Sequence, residues 1–440
     1  MRFQRSGVLL AAFVPNVWAQ VEEAAPVAQL AASAAISAPA FSGADTAWML
    51  MATVLVLVMT LPGIFLFYSG LMRTKNALSI AVQTLMATAL ITLLWGIVAY
   101  SLAFTSGGPW IGGWSRALAQ GLTGLLPPGH TMAKTIPEPV FFMFQLAFAV
   151  VTFALVLGAT VERMRMGVIL VFCALWLLLI YVPVAHWVWH PEGWLALQGQ
   201  MDFAGGTVVH VLAGSSALVA ALMVGPRKGF GTEAMMPSNL LMAALGACLL
   251  WVGWFGFNAG SALEAGARAA NAMVATHFSA SAGCFVWGLC ELVERRKISL
   301  LGVSSGAIAG LVAVTPAAGF VDMWGAVAMG LCAGVVCYLA ATQFKSVSGV
   351  DDSLDVFALH GVGGFLGSAL TPFLASAAIA PVTATVLSNT LGAAAVMAYS
   401  GGMTWLILWV IRRFVALRVS PAQELEGLDL AQHGETLLPD

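Results

Sequence analysis

Two histidines stand in stretches otherwise too apolar to hold a charge, and they are the strongest chemical signal in the chain. His210 lies in Gly205-Gly206-Thr207-Val208-Val209-His210-Val211-Leu212-Ala213-Gly214, and His360 in Val356-Phe357-Ala358-Leu359-His360-Gly361-Val362-Gly363-Gly364. Ionisable side chains in such surroundings are costly, so they face a protein interior in preference to lipid. A lone histidine on an apolar face is as often a satisfied core residue as a functional one. Two neutral imidazoles are different, because they can donate and accept along a line and pass a proton without a stable buried charge. Zinc would need three or four ligands. Neither a His-Glu-x-x-His pattern nor a further acidic partner stands near these histidines, so no metal and no cofactor is expected.

Asp202 opens the stretch that carries His210. Charged and unpaired in low dielectric it would be strongly unfavourable. It can cap the helix that follows, or it can lend a negative potential that favours cations; both roles stay open. Phe144 and Phe148 are four apart and share a helix face, while Trp254-Phe255-Gly256-Phe257-Asn258-Ala259-Gly260-Ser261 gathers rings, an amide and a hydroxyl. Aromatic faces attract cations that have lost water. With 15 Trp and 24 Phe, however, most rings in the chain pack or face lipid, and Trp187, Trp189 and Trp194 sit where an interface belt would. Spacing alone does not choose between packing and a cation site.

The elements that must position these residues follow from composition. Of 440 residues 60% are hydrophobic and 9% charged, against about 25% charged in soluble domains. Such a chain has too little polar surface to cover itself in water, which excludes the large soluble-enzyme classes and makes the lipid bilayer its solvent. A net charge of −2 offers no basic field for nucleic acid. Cys173, Cys248, Cys284, Cys290, Cys332 and Cys337 lie in apolar stretches without a Cys-x-x-Cys and read as small buried hydrophobes. An intramembrane serine hydrolase is the enzymatic alternative, since Ser215, Ser216, Ser304 and Ser305 fall within spans. Small-residue packing explains these serines more simply, and there is no Gly-x-Ser-x-Gly elbow, so the chain is not read as an enzyme.

Residues 1–19, with Arg2, Arg5 and the apolar run Val8 to Val14, have the layout of a secretory signal peptide, and 20–43 reads as an extracytoplasmic lead-in. Eleven apolar stretches follow, at 45–72, 77–104, 137–160, 167–187, 202–224, 237–262, 270–294, 300–317, 322–343, 355–375 and 389–413. We therefore expect an all-α integral membrane protein with a transmembrane domain at 44–415 and a cytoplasmic tail at 416–440. With the N-terminus outside and the C-terminus inside, only Arg116, Lys134 and Arg268 of the mature chain's basic residues fall outside, as the positive-inside rule requires. Two blocks of five spans have opposite orientation, which gives an inverted 5+5 repeat plus one further helix. The fifth and tenth spans then correspond, Asp202 and His210 matching Asp355 and His360.

At these stretches the sequence resembles the ammonium transporter family, which includes the methylammonium permeases and, more distantly, the Rhesus proteins. The resemblance runs from about 45 to 435. Besides the segments around His210, Ser261 and His360, it rests on Pro62-Gly63, Phe67-Tyr68-x-Gly70, Lys75-Asn76 and the tail segment Gly427 to Glu435. It implies a homotrimer in the inner membrane of a bacterium, each subunit with its own narrow apolar pore. By motif, Phe148, Trp189 and Ser261 would line an outer ammonium site, and Phe148 with Phe257 would be the stacked rings that close it. His210 and His360 would be the paired pore imidazoles, Asp202 the acidic support, and Phe144 and Trp254 neighbours of the site. The segment His190-Pro191-Glu192-Gly193-Trp194 departs from the family's Gly-rich run and is one residue longer. Ammonium would be deprotonated and conducted as ammonia, with or without a relayed proton. A Rhesus-like neutral gas channel is the alternative; it would keep the histidines but lack the aromatic and serine site. An added ammonium-sensing role is a further one. The tail, with Glu424, Glu426, Asp429 and Glu435, reads by itself as a solvated end, whereas the resemblance implies that it packs under the subunits and takes part in control by a PII-type nitrogen-signalling protein.

Overall fold

A computed structural model of the chain describes residues 41–123 and 128–437. Ten of its helices are long and apolar enough to cross a membrane: α1 (Gly43–Leu71), α2 (Thr74–Phe104), α3 (Glu138–Leu157), α4 (Met166–Leu197), α5 (Gly206–Val224), α6 (Leu240–Gly260), α7 (Ala267–Arg295), α9 (Met323–Ser348), α10 (Phe357–Leu374) and α11 (Val386–Ile411). Between α7 and α9 lies α8 (Leu300–Val314), apolar but shorter. These occupy the eleven stretches expected from the sequence. The expected signal peptide, and all but the last residues of the lead-in, lie outside the described residues.

Apolar runs specify helices here, because a helix closes every backbone hydrogen bond within its own segment. Polar residues set where several begin. Asn239 accepts from the Met242 N–H at 2.9 Å, Ser299 from Gly302 at 2.9 Å and Asp322 from Gly325 at 2.8 Å, while Thr385 and Ser388 form a reciprocal capping box. α3 is apolar on all sides, and 89% of its membrane window is buried within the protein. It is therefore a central helix, and it carries Phe144 and Phe148. Among the described residues, sheet is confined to a short antiparallel hairpin, β1 (Gly129–His130) and β2 (Ala133–Pro137), between α2 and α3.

At the opposite face, where the chain ends, the loops are tied by buried charges. Arg73 and Arg227 both reach Glu162, at 2.6 and 3.5 Å, and Arg227 also pairs with Asp351 at 2.8 Å. Burial raises the Asp351 carboxyl, but the Arg227 hydrogen bonds and the Arg163 charge outweigh it and hold the group below the usual carboxylate value. The tail is not a solvated end. The Asp429 carboxylate accepts from the Leu78 and Ser79 N–H groups at 3.0 and 2.7 Å, Gln432 from Met166 at 2.8 Å and Glu424 from Lys228 at 2.7 Å. The starts of α2 and α4 and the loop after α5 are thus strapped by one segment. The sequence signal was present in its acidic residues, but acidity alone cannot distinguish a solvated carboxylate from one that caps a neighbouring backbone.

Candidate functional site

His210 and His360 meet. Their Nδ1 atoms are 3.2 Å apart and their rings lie 5.2 Å apart between centroids, with both side chains buried. A neutral imidazole has one N–H and one lone pair. If one Nδ1 donates to the other, the donor ring is left with a bare Nε2 and the acceptor ring with an Nε2–H. The pair therefore offers one acceptor and one donor, and the roles exchange when the bare Nε2 gains a proton, the shared proton shifts across and the other Nε2 releases its own. The Nε2 of His210 has no hydrogen-bond partner among the described residues. Beside the pair is a cavity of about 10 Å³ walled by apolar side chains and by Tyr68 and Trp254, room for about one molecule of water size.

Two similar constructions hold the rings. Asp202 accepts three backbone N–H groups, those of Gly205, Thr207 and Val208, each at 3.0 Å. Its cap opens the wide first turns of α5, Gly206–Val211, which carry His210. Eight residues before His360, Asp352 accepts the Phe357 N–H at 2.7 Å and opens the corresponding wide turns Phe357–Gly361. In both segments the third residue after the aspartate has a left-handed backbone, Gly205 at φ 107° and Asp355 at φ 55°. The counterpart of Asp202 is thus Asp352, not Asp355 as expected from the sequence. Asp355 stood nearer the apolar run, but it supplies the turn while Asp352 supplies the cap.

Glycines bring the two segments together. A Cβ on Gly364 would lie 2.8 Å from both the Gly206 oxygen and the His210 Cβ, and one on Gly214 would collide with the backbone of Gly361. Each glycine follows its own helix's histidine by four residues and faces the other segment. The crossing is close enough for the rings to touch because neither helix has a side chain there.

On the far side of His210 from His360 the rings continue. Trp254 and Phe257 stack near His210, at 5.4 and 6.0 Å, and Phe257 stacks on Phe148 at 4.2 Å and 24°. Trp254 is fixed by its Nε1 donating to Thr315 Oγ1 at 2.9 Å. Beyond the Phe148–Phe257 stack opens a second cavity of about 70 Å³, lined by Phe144, Phe148, Trp189 and Ser261 among others. Trp189 meets Phe148 edge-on at 5.7 Å and donates from Nε1 to the Asp202 carbonyl at 3.1 Å. Ser261 donates to the Phe257 carbonyl at 2.9 Å, which leaves its lone pairs for the cavity. Asp202 does not line this cavity; its side chain is turned to the cap.

The longer segment after Trp189 is used elsewhere. Glu192 accepts from the Gly107 and Gly108 N–H groups at 3.1 and 3.2 Å, and His190 stacks on His186 at 4.6 Å. The extra polarity fastens the loop that follows α2 and leaves Trp189 on the cavity. Gln145, Phe203, Met132 and Leu263 also line it and were not singled out from the sequence. Gln145 lies between Phe144 and Phe148 and was legible in principle, as a polar residue inside a wholly apolar helix. Met132 was not, since its place depends on the hairpin.

Several known proteins are similar to this chain in sequence and overall fold. The model of the Ammonium Transporter Family matches residues 47–437. The ammonium transporter of Bacillus subtilis (strain 168) is 42% identical over 406 residues, spanning 90% of this chain and 98% of that protein. A putative ammonium transporter of Methanothermobacter thermautotrophicus is 43% identical over 403 residues, or 89% of this chain and 97% of the relative. Among solved structures, Mep2 of Candida albicans has a TM-score of 0.81 at 36% identity and covers 90% of both chains. A structure described as a sensor Amt protein has a TM-score of 0.82 at 29% identity, over 89% of this chain and 98% of that one.

Proposed function

Because the chain belongs to the ammonium transporter family, we propose that it carries ammonium nitrogen across a membrane through the passage lined by His210 and His360. The observation that carries this reading is the 3.2 Å contact between the two imidazoles, buried behind the Phe148–Phe257 stack. Ammonium is recruited in the cavity of Phe148, Trp189 and Ser261, where ring faces and a serine oxygen replace part of its water. The stacked rings close the way inward. A bare cation in the apolar conduit beyond them is strongly disfavoured. Ammonium can give up a proton, either to water on the near side of the stack or to the imidazole pair, which hands it on. It then continues as ammonia, which donates to and accepts from the imidazoles. Potassium has no proton to give.

The Asp202 cap holds the His210 segment and, through its carbonyl, the Trp189 indole. A neutral gas channel would need the histidines but not a cavity that gathers Phe148, Trp189 and Ser261, so that gathering favours the ammonium reading. We read all eleven helices as crossing, α8 included, with the N-terminus outside and the tail cytoplasmic. The matching caps and crossings of α5 and α10 support an inverted repeat. Trimeric assembly, a bacterial inner-membrane location, a cleaved leader at 1–19 and contact of the tail with a PII-type protein belong to the same proposal, on the family resemblance. Uptake by the purified protein in liposomes tests it. Ammonium should enter protein-containing vesicles well above empty ones and potassium should not; equal entry of the two ions would overturn the reading.

A further inference from the structure

One side chain on the outer cavity has an unmet requirement. Gln145 is 7% exposed, lines the cavity between Phe148 and Ser261, and its Oε1 is buried with no hydrogen-bond partner. Buried amide oxygens without a donor are rare because desolvation is not repaid. The neighbouring polar groups have their protons committed elsewhere. Ser261 gives its hydrogen to the Phe257 carbonyl and Trp189 gives its N–H to the Asp202 carbonyl. Apart from the Nε2 hydrogens of Gln145 itself, the cavity therefore presents acceptors and ring faces. A molecule that is all donors completes it.

We propose that Gln145 Oε1 is a substrate-binding acceptor that takes one N–H of ammonium, or of a small primary alkylammonium, beside the Ser261 oxygen. The proposal rests on reading this cavity as the recruiting site. Ammonium carries four tetrahedral N–H donors, so two oxygen acceptors and the ring faces can be engaged together. A neutral amide suits a site that must also release its ion. A carboxylate at the same place would hold any cation by charge, whereas a directional carbonyl rewards a cation that donates. The position on α3 serves this, since residues three apart share a helix face and Gln145 is thereby presented with Phe148.

Ammonium uptake kinetics in liposomes test the assignment, with Gln145→Met as the near-isosteric variant lacking an acceptor and Gln145→Glu as the variant that keeps one. Loss of one hydrogen bond to a charged donor should raise KM in the methionine variant about ten-fold or more, with kcat changed much less. The glutamate variant should stay within about three-fold of wild-type KM at neutral pH, and its KM should fall as pH rises and the new carboxyl ionises, where wild type shows no such dependence. A methionine variant with wild-type KM overturns the proposal. So does a glutamate variant as impaired as methionine with a flat pH profile, which would make Gln145 a packing residue. That profile can be read even if the methionine variant fails to fold. Absence of uptake by the wild-type protein would instead sink the transport reading itself.

Discussion

Asp202 and Asp352 are fixed caps, each buried at the start of a segment that carries a histidine eight positions on. A cap acts by satisfying backbone donors that would otherwise be buried without an acceptor. Replacing Asp202 with alanine strands three N–H groups and should destabilise the folded protein by about 2 kcal/mol or more. Asparagine, which still offers an oxygen, should cost less. Thermal unfolding in detergent would show the order. Asp352→Ala should also lower uptake, although Asp352 lies on the other side of the histidines from the cavity of Phe148, Trp189 and Ser261. Normal uptake in that variant would show that the second cap does not position His360.

At the scale of elements, the crossing of α5 and α10 decides whether the imidazoles touch. Gly214→Ala and Gly364→Ala each place a methyl against backbone. Overpacking of this kind costs about 1–3 kcal/mol, and here it should also part the rings and reduce uptake. Gly402→Ala is the control, because nothing lies within 4 Å of its added Cβ. It should keep uptake and wild-type stability. Uptake by the Gly214 and Gly364 variants equal to the control would show that ring contact does not depend on this approach.

Much of this element plan was legible from hydropathy, because a membrane leaves the backbone little choice but helix. The helix bounds shifted where caps intervene: α5 begins at Gly206 and not at 202, since Asp202 to Gly205 form the turn that caps it. His210 and His360 were identifiable as buried polar residues in apolar runs, and their meeting follows from the pairing of spans. Asp352 was passed over for Asp355 because local sequence does not tell which carboxylate turns back to accept N–H groups. The docked tail was beyond single-sequence reasoning, since its partners Ser79, Met166 and Lys228 lie in the first turns of α2, at the start of α4 and in the loop after α5.

Over the whole molecule the site is a series of spaces. The cavity of Phe148, Trp189 and Ser261 stops at the Phe148–Phe257 stack and the histidine cavity follows. A third space, bounded by Phe67, Leu359, Ser353 and Asp355, opens toward the face that carries the tail. Phe67 also borders the histidine cavity. The narrow middle is where apolar walls penalise a cation most, and the imidazole pair supplies the hydrogen-bonding groups that an ammonia molecule can use there. The buried pairs of Arg227 with Asp351 and Glu162, and the strapped tail, hold the loops at that end.

The most direct measurement is the selectivity of purified protein in liposomes with both His210 and His360 changed to leucine, compared with wild type for ammonium and potassium. The account predicts that ammonium transport is lost, or that discrimination against potassium collapses, while the variant remains folded by thermal unfolding. Ammonium-specific transport at the wild-type rate in the double variant would contradict it.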